Sequence, residues 1–108
     1  MTGRALATPG IPPETERAFQ ARVVALLELM GWLVYWTHDS RRSPAGFPDL
    51  VLLHRRHGLV FAELKGERGA VRVAQRRWLD ALREGGQRAY LWRPADWPDI
   101  ERVARGGR

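Results

Sequence analysis

Between Phe47 and Gly66 the chain reads FPDLVLLHRRHGLVFAELKG. Two apolar runs, Leu50 to Leu53 and Leu59 to Leu64, flank the short connection around Arg56-His57-Gly58, and this pattern predicts a β-hairpin. Side chains alternate along a strand, so Glu63 and Lys65 share one face while Ala62 and Leu64 share the other. With the turn near residues 56 and 57, Asp49 falls opposite Glu63 to Lys65 on the paired strand, a match that a one-residue slip would undo. Two carboxylates and an ammonium therefore converge at strand ends that otherwise read as core. A lone buried charge is costly, so such a cluster is paired or binds an ion, and two carboxylates favour a hard divalent cation held by oxygen ligands.

The flanking sequence supplies helices and further strands. From about Glu14 to Met30, the residues Phe19, Val23, Leu26, Leu27 and Met30 recur at helical spacing, with Pro12 and Pro13 at the entrance and Gly31 at the exit. Leu33 to Thr37 reads as a strand, followed by a polar loop from His38 to Gly46. Ala74 to Glu84 is a second amphipathic helix stopped by Gly85-Gly86, and Arg88 to Trp92 is a strand ended by Pro94. Asp96 to Ala104 fits a short last helix. The order is αβββαβ with a terminal α, an α/β arrangement built as one domain over residues 14–104, with a loose arm at 1–13 and a fraying tail at 105–108. On the helical wheel Glu16 lies on the Phe19 and Val23 face and Gln75 beside Ala74, Trp78 and Leu82, so each is a polar residue on an apolar stripe, pointing inward. Such breaks in pattern concentrate at functional sites.

Composition bounds the chemistry. At 108 residues there is room for one core, and with no cysteine there is neither a disulfide frame nor a thiolate metal site. No apolar segment approaches the roughly 18 residues of a membrane span and no signal core opens the chain, which reads as soluble and intracellular. The formal charge of +6 favours a polyanion, with nucleic acid first, although a GC-rich genome raises arginine content by itself. Seventeen of the eighteen basic residues are arginine and the sole lysine is Lys65, which suggests a position needing a compact ammonium whose pKa can shift. His54 and His57 flank the hairpin turn but have no cysteine partners for zinc. Trp36, Trp78 and Trp92 read as core rather than as base-stacking platforms, and Trp32 as a plug at the helix-to-strand corner.

From about Thr15 to Trp97 the sequence resembles the VRR-NUC domains, a branch of the PD-(D/E)XK nuclease superfamily. The carrying residues are Glu16 with Phe19-Gln20, Gly31-Trp32, Thr37-His38-Asp39-Ser40, Gly46-Phe47-Pro48-Asp49, Glu63-Leu64-Lys65, Gln75 with Trp78, and Gly86. The resemblance implies a restriction-endonuclease-like core, a central four-stranded mixed sheet flanked by helices, that cuts DNA phosphodiesters with Mg2+ or Mn2+. It is nearest to the compact stand-alone forms of phages and bacteria, which act like junction resolvases and as homodimers on branched DNA, without a small-molecule cofactor or a membrane. The extra helices of larger eukaryotic relatives are lacking here.

Carried over residue by residue, the resemblance has Asp49 and Glu63 hold the metal with the backbone carbonyl of Leu64, and Glu16 serve as an outer ligand. Lys65 would position or deprotonate a water or meet charge developing on phosphorus, and Gln75 would orient the lysine, water or phosphate. Simpler roles stand beside these: a first-turn carboxylate for Glu16, a helix-start hydrogen bond for Gln75, and a strand-end ion pair for Glu63 and Lys65. His38, Ser40, Arg41 and Arg42 in the loop before Asp49 are candidate phosphate contacts, or a solvated basic loop. Arg72, Arg76 and Arg77 flank Gln75 and would track a DNA backbone, or form a wet helix face. The competing functional class is a non-catalytic basic DNA-binding module.

Overall fold

The computed structural model describes residues 14–37 and 43–108. Helix α1 (Glu16–Leu29) is followed by strands β1 (Leu33–Trp36), β2 (Leu50–His54) and β3 (Gly58–Leu64), helix α2 (Val73–Glu84), strand β4 (Arg88–Trp92), a 3-10 turn (Pro94–Asp96) and helix α3 (Trp97–Ala104). The loop residues His38, Ser40, Arg41 and Arg42 lie outside the described residues.

Local chemistry explains the boundaries. The Thr15 hydroxyl accepts the Ala18 N–H at 3.0 Å and caps α1, which starts at Glu16, two residues later than the Glu14 expected. The hairpin joins His54 to Gly58 through residues 55–57, and Gly58 takes φ +82°, a conformation that costs a β-carbon-bearing residue dearly. In that register Leu50 faces Ala62 and Leu52 faces Val60.

The strands form a sheet in the order β1-β2-β3-β4, antiparallel at the first two junctions and parallel at the third. α2 is the crossover that the parallel β3–β4 pair requires. On one face Leu50, Leu52, Val60, Ala62, Leu64 and Trp92 pack with Phe19, Val23 and Leu27 of α1 and Ile100 and Val103 of α3. Each fully buried aliphatic side chain contributes about 1.5–3 kcal/mol, so this layer carries most of the stability.

α2 covers only part of the other face. Its Leu79 is fully buried, and Trp78 stands edge-on to Phe47 at 5.0 Å, which in turn meets Phe61 at 6.1 Å. Toward β1 the same face carries Leu33, Tyr35, Leu53 and Leu59, 71%, 66%, 47% and 38% exposed and brought side by side by the strand register. Nothing among the described residues covers them.

The Arg88 guanidinium donates to the Gly107 carbonyl at 2.7 Å and to the His57 carbonyl at 3.2 Å, tying the chain end to the hairpin turn. One expectation changes. Trp36 is not core, because β1 is the sheet edge and the helix residues opposite, Ala21 and Ala25, are too small to bury an indole; it is 39% exposed. Trp32 does plug the corner, 3% exposed, with its Nε1–H donating to the Ala104 carbonyl at 3.0 Å. No helix among the described residues is long and apolar enough to cross a membrane.

Candidate active site

The hairpin register is what brings the charges together. Leu50 pairs with Ala62, so the next rung sets Asp49 against Glu63, both on the face that α2 covers. Asp49 Oδ2 accepts the Leu64 N–H at 2.8 Å. A paired strand residue directs its N–H and its C=O to the same side, so the Leu64 carbonyl points toward β2 and Asp49 as well. The neighbouring Lys65 N–H turns the other way and donates to Trp92 O at 3.0 Å. β1 splints the start of β2: Thr37 N–H donates to the Asp49 carbonyl at 2.8 Å and the Thr37 hydroxyl donates to the Pro48 carbonyl at 2.7 Å.

Glu63 is 2% exposed, and its two oxygens are treated differently. Oε2 accepts Gln75 Nε2–H at 2.7 Å and lies 3.8 Å from Lys65 Nζ, whereas Oε1 is buried without a hydrogen-bond partner. Burial pushes the Glu63 carboxyl up to about 7, the nearby Asp49 carboxylate adds to the rise, and Lys65 opposes it. Asp49 is raised too, chiefly by burial, with the Leu64 N–H pulling the other way. Two carboxyls that burial raises, beside an orphaned oxygen, are short of positive charge, because one ammonium at 3.8 Å does not neutralise both. The donor set of two carboxylates and a carbonyl fits a hard divalent cation.

Gln75 is clamped from both ends. Its amide donates to Glu63 while its Oε1 accepts the Arg72 N–H at 2.9 Å, one of the free N–H groups at the start of α2. The helix-start bond and the contact to the site, alternatives in the sequence, are made together. Gly46 sets the spacing, with φ +95° and a backbone so close to α2 that a β-carbon there would lie 2.5 Å from the Ala74 carbonyl. Lys65 is 8% exposed and is overlain by Gly69, where a β-carbon would lie 3.3 Å from Lys65 Cδ. That loop is held by Arg93, which donates to the Gly66 carbonyl at 2.7 Å. Arg93 and Gly69 carry no sequence signal, since both act through contacts more than twenty residues away or through backbone.

Glu16 departs from expectation. It is exposed in the first turn of α1 rather than turned inward, because the apolar stripe that meets the sheet begins a turn later, at Phe19. Its charge still reaches the site and adds to the rise of both Asp49 and Glu63. Among the described residues no group of three or more His, Asp or Glu side chains is gathered as a metal cage. Arg72, Arg76 and Arg77 are exposed at the Gln75 end of α2.

A mixed sheet with an Asp on one strand, Glu-Leu-Lys on the next and a flanking glutamine on the crossover helix is the frame of a PD-(D/E)XK-type nuclease. The profile of the VRR-NUC domain matches residues 13–95, and the chain belongs to the VRR-NUC family. A solved structure described as a "VRR_NUC domain" is similar at 26% identity and TM-score 0.67, over 80% of this chain and 92% of that one. A second, described as a "VRR_NUC domain protein", shares the fold at 18% identity and TM-score 0.69, over 90% of this chain and 93% of the other. No curated protein matches. Membership gives the chain a nuclease-type, DNA-processing function.

Proposed function

We propose that this chain is a Mg2+- or Mn2+-dependent DNA endonuclease in which Asp49, Glu63 and the Leu64 carbonyl hold the cation, Glu16 reaches it through water, and Lys65 and Gln75 act beside it. The observation that carries this reading is the buried, unpartnered Oε1 of Glu63 next to Asp49. A divalent ion bound there supplies Lewis-acid polarisation of a phosphate ester and acidifies water. Gln75 fixes Glu63 Oε2 from one side, so that carboxylate is oriented before substrate arrives. Lys65 is held close to Glu63 by the Gly69 loop, where its ammonium meets the attacking water or the charge developing on the phosphoryl oxygens. Water adds to phosphorus, the bond to the 3′-oxygen breaks, and the water proton ends on that oxygen, leaving a 5′-phosphate and a 3′-hydroxyl.

The substrate in this reading is branched DNA, four-way junctions included, and the active form is a homodimer, both following the family resemblance. The uncovered apolar face of Leu33, Tyr35, Leu53 and Leu59 supports a second copy, since a junction cut twice needs two sites and a domain of this size carries one. Arg72, Arg76 and Arg77 at the Gln75 end of α2 meet the backbone phosphates, and His38, Ser40, Arg41 and Arg42 add phosphate contacts following the family resemblance.

The test is cleavage of end-labelled duplex, single-strand, flap, splayed and four-way DNA with Mg2+, Mn2+ or EDTA, wild type beside Lys65→Ala. Metal-dependent cutting that is lost in the variant, with its unfolding midpoint retained, is the expected result. Binding without cutting in every lane would replace the enzyme with a DNA-binding module.

A further inference from the structure

Along the outer side of α1 runs an open groove of about 370 Å³, lined by Arg17, Gln20, Ala21, Ala25 and Glu28 of the helix and by Trp36 of β1. Its volume falls in the range of small-ligand clefts, roughly 300–1,000 Å³. Arg17 and Glu28 are eleven residues apart, so the groove is about 16 Å long at 1.5 Å per helical residue. The two alanines leave part of the Trp36 indole exposed, Val24 also lines the groove, and the side chains of Arg17, Gln20 and Glu28 make no hydrogen bond or ion pair with a described residue. An exposed indole, a guanidinium and an unpaired amide along one furrow are the parts of a nucleotide subsite: a ring to stack on, a cation for phosphate and a hydrogen-bonding group for a base edge.

The groove lies at the same end of the sheet as the candidate active site but on the opposite face, since Trp36 shares the α1 face with Leu50 while Asp49 and Glu63 face α2. Trp36 pairs with Leu50, the residue after Asp49, and Thr37, the residue after Trp36, bonds the Asp49 and Pro48 carbonyls. At the helix end Arg17 follows Glu16, whose charge reaches both Asp49 and Glu63. The positive end thus lies nearest the carboxylates and the negative end, Glu28, lies farthest away. A strand entering with its phosphate at Arg17 would turn its base toward Trp36, and Glu28 would repel the phosphate if the strand were reversed.

We propose that this groove takes one unpaired nucleotide of the DNA strand being cut, with its base stacked on Trp36 and its phosphate at Arg17. Duplex DNA presents no free base face to an indole, so the subsite selects strands opened near the cut. The proposal rests on the nuclease reading for the identity of the strand, but its test does not need cleavage.

Fluorescence anisotropy in EDTA, with a labelled eight-nucleotide oligothymidylate and a labelled sixteen-base-pair duplex as probes, separates the two. Trp36→Ala is expected to weaken the single strand by about tenfold or more, the worth of one stacked base, while Trp36→Phe stays within about threefold of wild type. Duplex affinity stays within about twofold throughout. The double variant Ala21→Leu with Ala25→Leu fills the groove from exposed helix positions without touching the core, and it should show the same selective loss even if Trp36→Ala unfolds. Unchanged single-strand affinity in the leucine pair, or equal loss for strand and duplex, would overturn the subsite. Selective loss from a protein that cuts nothing would leave the subsite standing and sink the nuclease instead.

Discussion

Glu63→Gln should stabilise the metal-free protein, and only above the pH at which an ordinary glutamate ionises. In the unfolded chain Glu63 loses its proton near 4.5, whereas in the fold it holds the proton to about 7. Between these values the folded state binds more protons, so folding stability is at its best below 4.5 and falls as pH rises toward 7. At 1.36 kcal/mol per pH unit the full offset is about 3 kcal/mol, and Asp49, raised in the same direction, adds to it. Glutamine carries no charge to desolvate, so the variant escapes this loss; the 3.8 Å contact with Lys65 is an ion pair only once Glu63 ionises, and its effect is already contained in the raised value. The clean quantity is therefore a difference of differences: the advantage of Glu63→Gln over wild type should grow by about 3 kcal/mol between pH 4 and pH 8. Urea unfolding in EDTA at both pH values reads it as a midpoint moving apart by about 1–3 M. Parallel pH curves for the two proteins would refute the account of Glu63 as a carboxyl starved of positive charge. Under the metal proposal, Mg2+ at a hundred times its dissociation constant returns about 2.7 kcal/mol to wild type and little to the variant.

Other substitutions test separate parts of the site. Gln75→Ala frees Glu63 Oε2, so turnover should fall roughly 10- to 100-fold and the acid limb of the pH–rate profile should move to higher pH; an unchanged profile would reduce Gln75 to a helix cap. Gly46→Ala drives a methyl group into the Ala74 carbonyl in a left-handed backbone, and should cost at least about 2 kcal/mol by thermal unfolding, against a few tenths for an exposed loop glycine. Trp32→Phe leaves the buried Ala104 carbonyl without its donor, an expected loss of about 1–3 kcal/mol, and a melting point within 1 °C of wild type would argue against that bond.

The parts of the fold legible from sequence are those fixed by short-range pattern. Alternation from Leu50 to Leu64, broken by a basic turn ending in Gly58, sets the register that puts Asp49 against Glu63, and the wheel position of Gln75 on an apolar stripe anticipates its reach to Glu63. What escaped depends on how far one layer extends over another. A wheel says which way Glu16 faces but not that the buried stripe of α1 begins only at Phe19, and an aromatic in a strand reads as core until Trp36 turns out to lie on the edge, opposite two alanines. The bond from Arg88 to Gly107 spans nineteen residues and leaves no local signal. Arg93 and Gly69 belong to the same class, long-range contacts without a local period.

The solitary lysine makes the candidate active site a built-in proteolytic clock. A lysine-specific protease has a single bond to cut in this chain, Lys65–Gly66. In the fold that bond follows an N–H paired to Trp92, beside a side chain 10% exposed and under the Gly69 loop. A protease must draw several residues into its own cleft as an extended strand, so β3 has to peel from β4 before the enzyme can act. The rate of this one scission, measured with and without divalent ion or DNA, counts how often the centre of the site comes apart and how far each ligand holds it shut.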